Sequence, residues 1–168
     1  MTYRIPLART DIGVAETAGV SRVMESGRLA LGEEMREFEQ AIADYHDVAG
    51  AVMVNSGTSG LMISLHSLGV GSGDEVIMPA LTFVGTVNAI LAVGATPILV
   101  DVDRDSANID PNRIKDAISA RTRTVMPVHL YGLPAPMSEI LDVARAYKLT
   151  VVEDACEAIG ADYGGKKM

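Results

Sequence analysis

From residue 51 onward, short apolar runs alternate with longer segments in which apolar residues recur at helical spacing. Runs of about four or five residues rich in valine, isoleucine and threonine predict strands. These strands are expected at 51–54, 75–78, 96–100, 124–128 and 150–153. Helices are expected between them at 59–68, 82–93, 111–120 and 136–147. Because the strands are apolar on both faces, the alternation predicts an α/β fold with a mainly parallel sheet and helices on both faces.

The first 50 residues follow a different pattern. Residues 33–45 place Met35, Phe38 and Ile42 near one face of an amphipathic helix, and residues 11–24 form a looser helical segment. We therefore expect residues 1–50 to form an N-terminal helical arm outside the sheet, and residues 51–168 to belong to one α/β domain. The arm packs either on that domain or on a partner subunit.

Composition narrows the classes of function. The chain has 168 residues, of which 48% are hydrophobic and 21% charged, as is typical of one folded domain. Its formal net charge of −8 argues against a nucleic-acid partner. The longest apolar stretch, 89–100, is interrupted by Gly94 and Pro97 and is too short to span a bilayer, so no membrane partner is expected.

The single cysteine, Cys156, cannot form a disulfide framework, which favours the reducing cytoplasm. Its acidic neighbours should raise the pKa of the thiol, so a reactive thiolate is not expected. No cluster of His, Cys and Asp residues has the spacing of metal ligands, and no metal site is expected.

A small polar turn, Asn-Ser-Gly-Thr-Ser-Gly at 55–60, separates the predicted strand at 51–54 from a predicted helix. The N-terminus of a helix presents free backbone N–H groups and the positive end of the helix dipole, and both favour a phosphate. This turn is either a plain N-cap without a ligand or a phosphate-binding turn formed by Gly57, Thr58 and Ser59.

Two further side chains follow predicted strands at the same edge of the sheet. Asp154 comes after the strand at 150–153, and Phe83 comes after the strand at 75–78. A phenylalanine in an apolar helix is often a core residue, but at this junction its ring could also lie against a flat cofactor. A phosphate-binding turn, an aromatic ring and a buried carboxylate suit a phosphorylated heteroaromatic with a basic ring nitrogen, and pyridoxal 5′-phosphate (PLP) has this pattern.

A series of short motifs then recurs in order over nearly the whole chain. The motifs are RIPL at 4–7, SGRLALG at 26–32, REFE at 36–39, VNSGTS at 54–59, GDEVIMP at 73–79, LTFV at 81–84, GATP at 94–97, NIDP at 108–111, PVHLYG at 127–132 and EDA at 153–155. Together they resemble the DegT/DnrJ/EryC1/StrS aminotransferases, which use PLP to place an amino group on keto-sugar nucleotides. The resemblance implies the large domain of a fold-type-I PLP transferase, with strands in the order 96–100, 75–78, 124–128, 150–153.

The same resemblance assigns roles to individual residues. It implies that Gly57, Thr58 and Ser59 hold the cofactor phosphate, that Phe83 stacks on the ring, and that Asp154 pairs with the ring nitrogen. Glu157 lies where many members carry Gln or His close to the phenolic oxygen of the cofactor. A carboxylate there cannot donate a hydrogen bond unless it is protonated. His129, at the end of a strand, either touches the ligand or is a hydrogen-bonded structural histidine.

The resemblance also implies groups that lie outside these residues. In the family the Schiff-base lysine follows the aspartate by a couple of dozen residues, whereas 14 residues follow Asp154 here. Lys166 and Lys167 match an exposed hairpin instead. The lysine is therefore expected beyond Met168, and no catalytic residue is expected within this chain. Residues 51–168 would then be the N-terminal part of the PLP-binding domain, without the lysine, the C-terminal strands or the small domain.

The function implied is a PLP-dependent aminotransferase that acts on a keto-sugar nucleotide with glutamate as amino donor. Its active sites would form between two subunits of a homodimer or larger assembly. Two alternatives stay open: a PLP-dependent sugar dehydratase of the same family, and a truncated non-catalytic protein or assembly module.

Overall fold

Four parallel strands form the centre of the computed structural model, which describes residues 9–168; the RIPL motif lies outside this range. The sheet order is β2-β1-β3-β4, as the family resemblance implied. The strands are β1 (Glu75–Pro79), β2 (Thr96–Val100), β3 (Thr122–Val125) and β4 (Thr150–Val151). The predicted α/β fold with a parallel sheet is therefore confirmed.

Helices lie close to their predicted positions. Their bounds are α1 (Val14–Ser26), α2 (Glu33–His46), α3 (Gly57–Ser67), α4 (Val84–Ala92), α5 (Pro111–Ala117) and α6 (Met137–Tyr147). A short 3-10 turn spans Leu130–Gly132. Lys166 and Lys167 form β6, which pairs antiparallel with β5 (Asp162–Tyr163) in an exposed hairpin, as expected. Among the described residues, no helix has the length and apolar character needed to cross a bilayer.

The sheet is buried between two layers of helices because successive side chains of a strand point to opposite faces. On β1, Val76 and Met78 pack with residues of α3 and α4, whereas Ile77 packs with residues of α5 and α6. All three are at most 1% exposed. Burial of each such side chain contributes about 1.5–3 kcal/mol, so the predicted helices on both faces are also the main source of stability.

The strand predicted at 51–54 is wrong. Residues 51–54 form no strand, and Val52 is 83% exposed. A β-strand exists only where its N–H and C=O groups meet those of a neighbouring strand, and no such neighbour lies beside this segment within residues 9–168. One backbone donor here is satisfied by a side chain instead, because Met53 N donates to Glu39 Oε1 at 2.8 Å. The four-stranded sheet does not extend to this segment, so its apolar pattern does not lead to a strand here.

The two helices of the arm contribute nothing to the sheet. No residue of α1 is buried, and α2 buries only Ala43. The C-terminal end of α2 lies against the β5–β6 hairpin, where Lys167 Nζ lies 5.5 Å from the centre of the Tyr45 ring. The arm described here therefore makes few stabilising contacts with the rest of the chain.

A buried carboxylate lies at the N-terminal edge of the sheet, opposite the edge where ligands bind in α/β folds. Glu75, the first residue of β1, is 4% exposed. It accepts hydrogen bonds from Ser119 Oγ and from Arg121 Nη2, the latter at 2.6 Å. The hydrogen bond from Ser119 and the Arg121 guanidinium hold the pKa of Glu75 below its usual value.

This network predicts how stability depends on pH. Because the pKa of Glu75 is lower in the folded chain, its contribution is complete above the unfolded value near 4.5 and is lost as the pH falls further. We expect Glu75→Gln to lower the free energy of unfolding at neutral pH, and its difference from the wild type to shrink in acid. Denaturant unfolding at a series of pH values measures this. Glu37→Gln, on the exposed face of α2, is the control. If the free energies of unfolding of Glu75→Gln and the wild type differed by the same amount at every pH, the assignment would be contradicted.

Candidate functional site

A cavity of about 260 Å³ opens at the C-terminal edge of the sheet. It is bounded by the N-terminus of α3, by the junction between β1 and α4, and by the segments that follow β3 and β4. Five of the six site residues predicted from the sequence line it: Gly57, Thr58, Phe83, Asp154 and Glu157. Ser59 does not. A larger cavity of about 730 Å³ lies between α1 and α2, but no residue that lines it is buried.

The α3 N-terminus explains why Ser59 is separate from the others. Ser56 is the N-cap, and its Oγ accepts a hydrogen bond from Ser59 N at 3.1 Å and lies 3.0 Å from Ser59 Oγ. The backbone N–H of Ser59 is thus used within the cap. The N–H groups of Gly57 and Thr58 are the first two of the helix and have no partner within it. These two residues, which also line the cavity, are the part of the turn that is available to an anion.

Gly57 also allows a close approach between α3 and the segment after β4. A Cβ atom at this position would overlap Cys156 Sγ, which lines the same cavity. The glycine is required by this contact and not by an unusual backbone angle, since Gly57 does not have a positive φ. The cysteine thereby packs the N-terminal turn of α3 against the segment that carries Asp154.

Asp154 is placed by backbone pairing between the extensions of β3 and β4. Its N–H donates to Pro127 O at 2.9 Å, and its carbonyl accepts from His129 N at 3.0 Å. The residue is 5% exposed, yet it lines the cavity. Within residues 9–168, no basic side chain forms an ion pair with its carboxylate.

Thr86 provides the shortest contact to that carboxylate. Its hydroxyl donates to Asp154 Oδ2 at 2.7 Å, and Thr82 Oγ1 lies 2.9 Å from Thr86 Oγ1. The backbone N–H of Cys156 donates to the other oxygen, Oδ1, at 3.3 Å. Sequence reasoning missed Thr86 because its partner is 68 positions away. The available signal was the spacing of Thr82 and Thr86. Residues four positions apart lie on the same face of a helix, and both threonines fall near the start of the helix predicted at 82–93.

Phe83 is not a core residue. It lies at the N-cap position of α4, and 70% of its surface is exposed at the cavity. Gly85 leaves room for the ring, because a Cβ there would lie 3.0 Å from Phe83 Cδ1 and 2.6 Å from Thr58 Oγ1. An exposed aromatic face beside a cavity is able to stack on a planar ligand.

Glu157 acts as an acceptor. Its Oε2 receives a hydrogen bond of 2.9 Å from the backbone N–H of Tyr131, within the 3-10 turn. Tyr131 has a φ of 56°, which is unfavourable for a residue with a large side chain. The Glu157 carboxylate therefore stabilises a strained turn at the rim of the cavity.

His129 has a structural role in this geometry. It is fully buried, and its Nδ1 accepts a hydrogen bond of 3.0 Å from Ala135 N. Nδ1 is therefore unprotonated, and the ring proton lies on Nε2, which donates to Glu153 Oε2 at 2.9 Å. Neither His129 nor Glu153 lines the cavity. Of the two carboxylates that follow β4, Glu153 bonds the buried His129 and Asp154 faces the cavity.

Within residues 9–168, no group of three or more His, Cys, Asp and Glu side chains is arranged to hold a metal ion.

The last three residues, at 166–168, lie away from the cavity. Lys166 and Lys167 are exposed in the β5–β6 hairpin, and neither lines the site. Met168 does not line it either, because its N–H donates to Ala161 O at 3.1 Å and its side chain packs against the core on the α5–α6 face of the sheet. Met168 thus has a packing role and no contact with the site. Among the described residues, no lysine lines the cavity, and a Schiff-base lysine beyond Met168 stays a prediction.

Comparison with known proteins identifies this arrangement. The family model of the DegT/DnrJ/EryC1/StrS aminotransferase family matches residues 10–168. The chain belongs to the DegT/DnrJ/EryC1/StrS aminotransferase family.

Solved structures of similar proteins agree. DesV of S. venezuelae, in complex with a ketimine intermediate, is 43% identical, with a TM-score of 0.88 over 90% of this chain and 41% of its own. NtdA of Bacillus subtilis, with the bound cofactor PMP, is 41% identical, with a TM-score of 0.84 over 86% of this chain and 33% of its own. Spr1654 of Streptococcus pneumoniae in its PLP form, named as a sugar aminotransferase, is 31% identical, with a TM-score of 0.91 over 98% and 46%.

The chain thus spans less than half the length of these family members, between 33% and 46%. In this portion lie the cavity and the parallel sheet. The remaining parts of those longer proteins have no counterpart in residues 9–168.

The contact between Gly57 and Cys156 predicts a coupled pair of substitutions. Gly57→Ala should lower the free energy of unfolding by about 1 kcal/mol, because the new methyl group forces the thiol to move. In a Cys156→Ala background the same change should cost nothing or stabilise, since the next nearest atom, Cys156 Cβ, is 3.7 Å away. Denaturant unfolding of the four chains measures the coupling. Additive effects would show that the contact does not constrain position 57.

The environment of Cys156 predicts its reactivity. Partial burial, together with the hydrogen bond and charge of Asp154, raises the pKa of the thiol to about 11. Since only the thiolate reacts, the rate of alkylation by iodoacetamide should rise about tenfold per pH unit from about pH 7 to about pH 10, without a plateau. Asp154→Asn should shift this curve to lower pH. A plateau below about pH 9 in the wild type would contradict the assigned environment.

Proposed function

We propose that this chain supplies the cofactor-binding half of a PLP-dependent aminotransferase that acts on a keto-sugar nucleotide with glutamate as amino donor. The observation that carries the proposal is Asp154, a buried carboxylate that faces a cavity and has no cationic partner within the described residues. Burial of an unpaired carboxylate is costly, and such groups are retained where a ligand provides the missing partner. A protonated ring nitrogen is a partner of this kind.

The rest of the cavity fits the other parts of PLP. The unpartnered N–H groups of Gly57 and Thr58 would hold the phosphate, as helix N-termini do. Phe83 would cover one face of the ring. Ser59 would support this site through the cap of α3, since its N–H donates to Ser56 Oγ.

When bound, PLP serves as an electron sink for bonds broken at the substrate carbon. The residues of this chain would keep it in the state that does so. Asp154 would hold the proton on the ring nitrogen, and the phosphate contacts would fix the position of the ring. Glu157 would not provide a donor to the phenolic oxygen, because a carboxylate only accepts hydrogen bonds, as it does here from Tyr131 N. Phe83 would exclude water from one face of the ring.

The Schiff-base lysine is proposed to lie beyond Met168, outside this chain. The positions of Lys166 and Lys167 in an exposed hairpin away from the cavity support this. In the proposed arrangement, residues 1–50 are an arm and residues 51–168 belong to the cofactor-binding domain. A keto-sugar nucleotide substrate is supported by the family and by the sugar-aminotransferase name of Spr1654. A cytoplasmic location and a homodimer or larger assembly complete the proposal.

Substitution of Asp154 tests this function. In a polypeptide that spans the full length of the family, Asp154→Asn should abolish transfer from glutamate to a nucleotide keto sugar, because the amide cannot keep the ring nitrogen protonated. Amino transfer is measured on a panel of nucleotide keto sugars. Circular dichroism should show an intact fold. Asp142→Asn, whose side chain is 74% exposed on α6, is the matched control and should keep full activity. Full activity of Asp154→Asn would refute the assigned role.

A further inference from the structure

The hydroxyl groups of Thr82 and Thr86 form a chain that ends on the Asp154 carboxylate. Thr86 is 1% exposed, and its Oγ1 lies 2.7 Å from Asp154 Oδ2 and 2.9 Å from Thr82 Oγ1. All three residues line the cavity. Thr86 is buried and Thr82 is half-buried, and a buried hydroxyl group costs stability unless it has hydrogen-bond partners, which Thr86 finds in Asp154 and Thr82.

The direction of the protons in this chain follows from the number of donors. An ionised carboxylate only accepts, so Thr86 must give its single proton to Asp154. Thr86 Oγ1 is then free only to accept, and Thr82 must donate to it. If Asp154 were protonated on Oδ2, its own proton would point at Thr86 and the chain would lose this donor. With Asp154 Oδ2 as the acceptor, the donors therefore run in the order Thr82 to Thr86 to Asp154.

We propose that Thr86 is a positioning residue for Asp154, and that its hydroxyl sets the preference of the cavity for a ring that carries a protonated nitrogen. The inference rests on the proposed function, since it concerns the same cofactor site. Thr86 fixes the Asp154 carboxylate in one orientation by donating to Oδ2, and the carboxylate in turn accepts from the ring nitrogen. Thr82 does not contact the carboxylate through this chain but orients the Thr86 hydroxyl by donating to it.

The chain contains a matched site where the same hydroxyl has no such role. Thr124, in β3, is fully buried, and its Oγ1 has no hydrogen-bond partner among the described residues. Thr124→Val and Thr86→Val remove the same group from equally buried positions. Only the second removes a donor from Asp154.

The test compares two ligands that differ in one atom. Pyridoxamine 5′-phosphate has the ring nitrogen and cannot form a Schiff base with surface lysines, and its 1-deaza analogue has a C–H group in place of that nitrogen. Isothermal titration calorimetry on the full chain measures both affinities. The wild type and Thr124→Val should prefer pyridoxamine 5′-phosphate. Thr86→Val should weaken its binding about tenfold and leave the deaza analogue unchanged, so that the preference is largely lost.

Further variants distinguish this role from a general structural one. Thr86→Ser keeps the hydroxyl and should retain the preference, which also decides the matter if circular dichroism shows that Thr86→Val does not fold. Asp154→Asn should lose the preference, and adding Thr86→Val to it should cause no further loss.

Three results would overturn the inference while leaving the proposed function in place. One is a wild-type preference that survives in folded Thr86→Val, and another is a folded Thr86→Ser that loses it. An equal loss of affinity for both ligands in Thr86→Val would also contradict it, since that pattern indicates a distorted cavity. A wild type that shows no preference between the two ligands would refute the proposed role of Asp154, and the inference with it.

Discussion

The candidate site depends on the parallel pairing of β3 with β4, which continues beyond both strands. Val128 and Asp154 form a further parallel bridge, and the hydrogen bonds to Pro127 and from His129 fix the backbone of Asp154 on both sides. A one-residue slip would turn every side chain of this segment to the opposite face of the sheet. Glu153 would then face the cavity, and Asp154 would face His129. The chemistry at this edge is therefore set by strand register before any side chain is considered.

The two buried carboxylates of the sheet differ in how their charge is compensated. Glu75, at the N-terminal edge, is paired with Arg121 and also bonded by Ser119, so its negative charge is neutralised within the chain. Asp154, at the C-terminal edge, receives hydrogen bonds from one hydroxyl, one backbone N–H and the Cys156 thiol, and it has no basic partner among the described residues. Since both are almost fully buried, solvent compensates neither. This difference supports the proposal that Asp154 pairs with the protonated ring nitrogen of a cofactor, whereas Glu75 already has its cation within the chain.

The sequence pattern was sufficient to predict local elements, and the family resemblance supplied their order. Strands β1 to β4 and helices α3 to α6 follow from apolar periodicity, because each element must bury its own apolar residues. Residues 51–54 had the same pattern but formed no strand, since pairing depends on neighbours that periodicity does not describe. The positions of Gly57, Phe83 and Asp154 at one edge were predicted for the same reason that ligands bind there in parallel sheets. The hydrogen bond from Thr86, 68 residues before Asp154, arises only from the packing of α4 on the sheet.

The separate parts of the site are also packed as one unit. Cys156 donates its N–H to the Asp154 carboxylate and places its sulfur against Gly57. This one residue therefore connects the carboxylate to the N-terminal turn of α3. Thr86 connects Asp154 to α4, and Gly85 beside it approaches both Thr58 and the Phe83 ring. A shift of α3 or α4 would therefore move the groups proposed for the phosphate, the ring face and the ring nitrogen together. Because close-packed interiors respond to small displacements as a whole, the spacing between these groups is determined by the packing of the sheet and two helices.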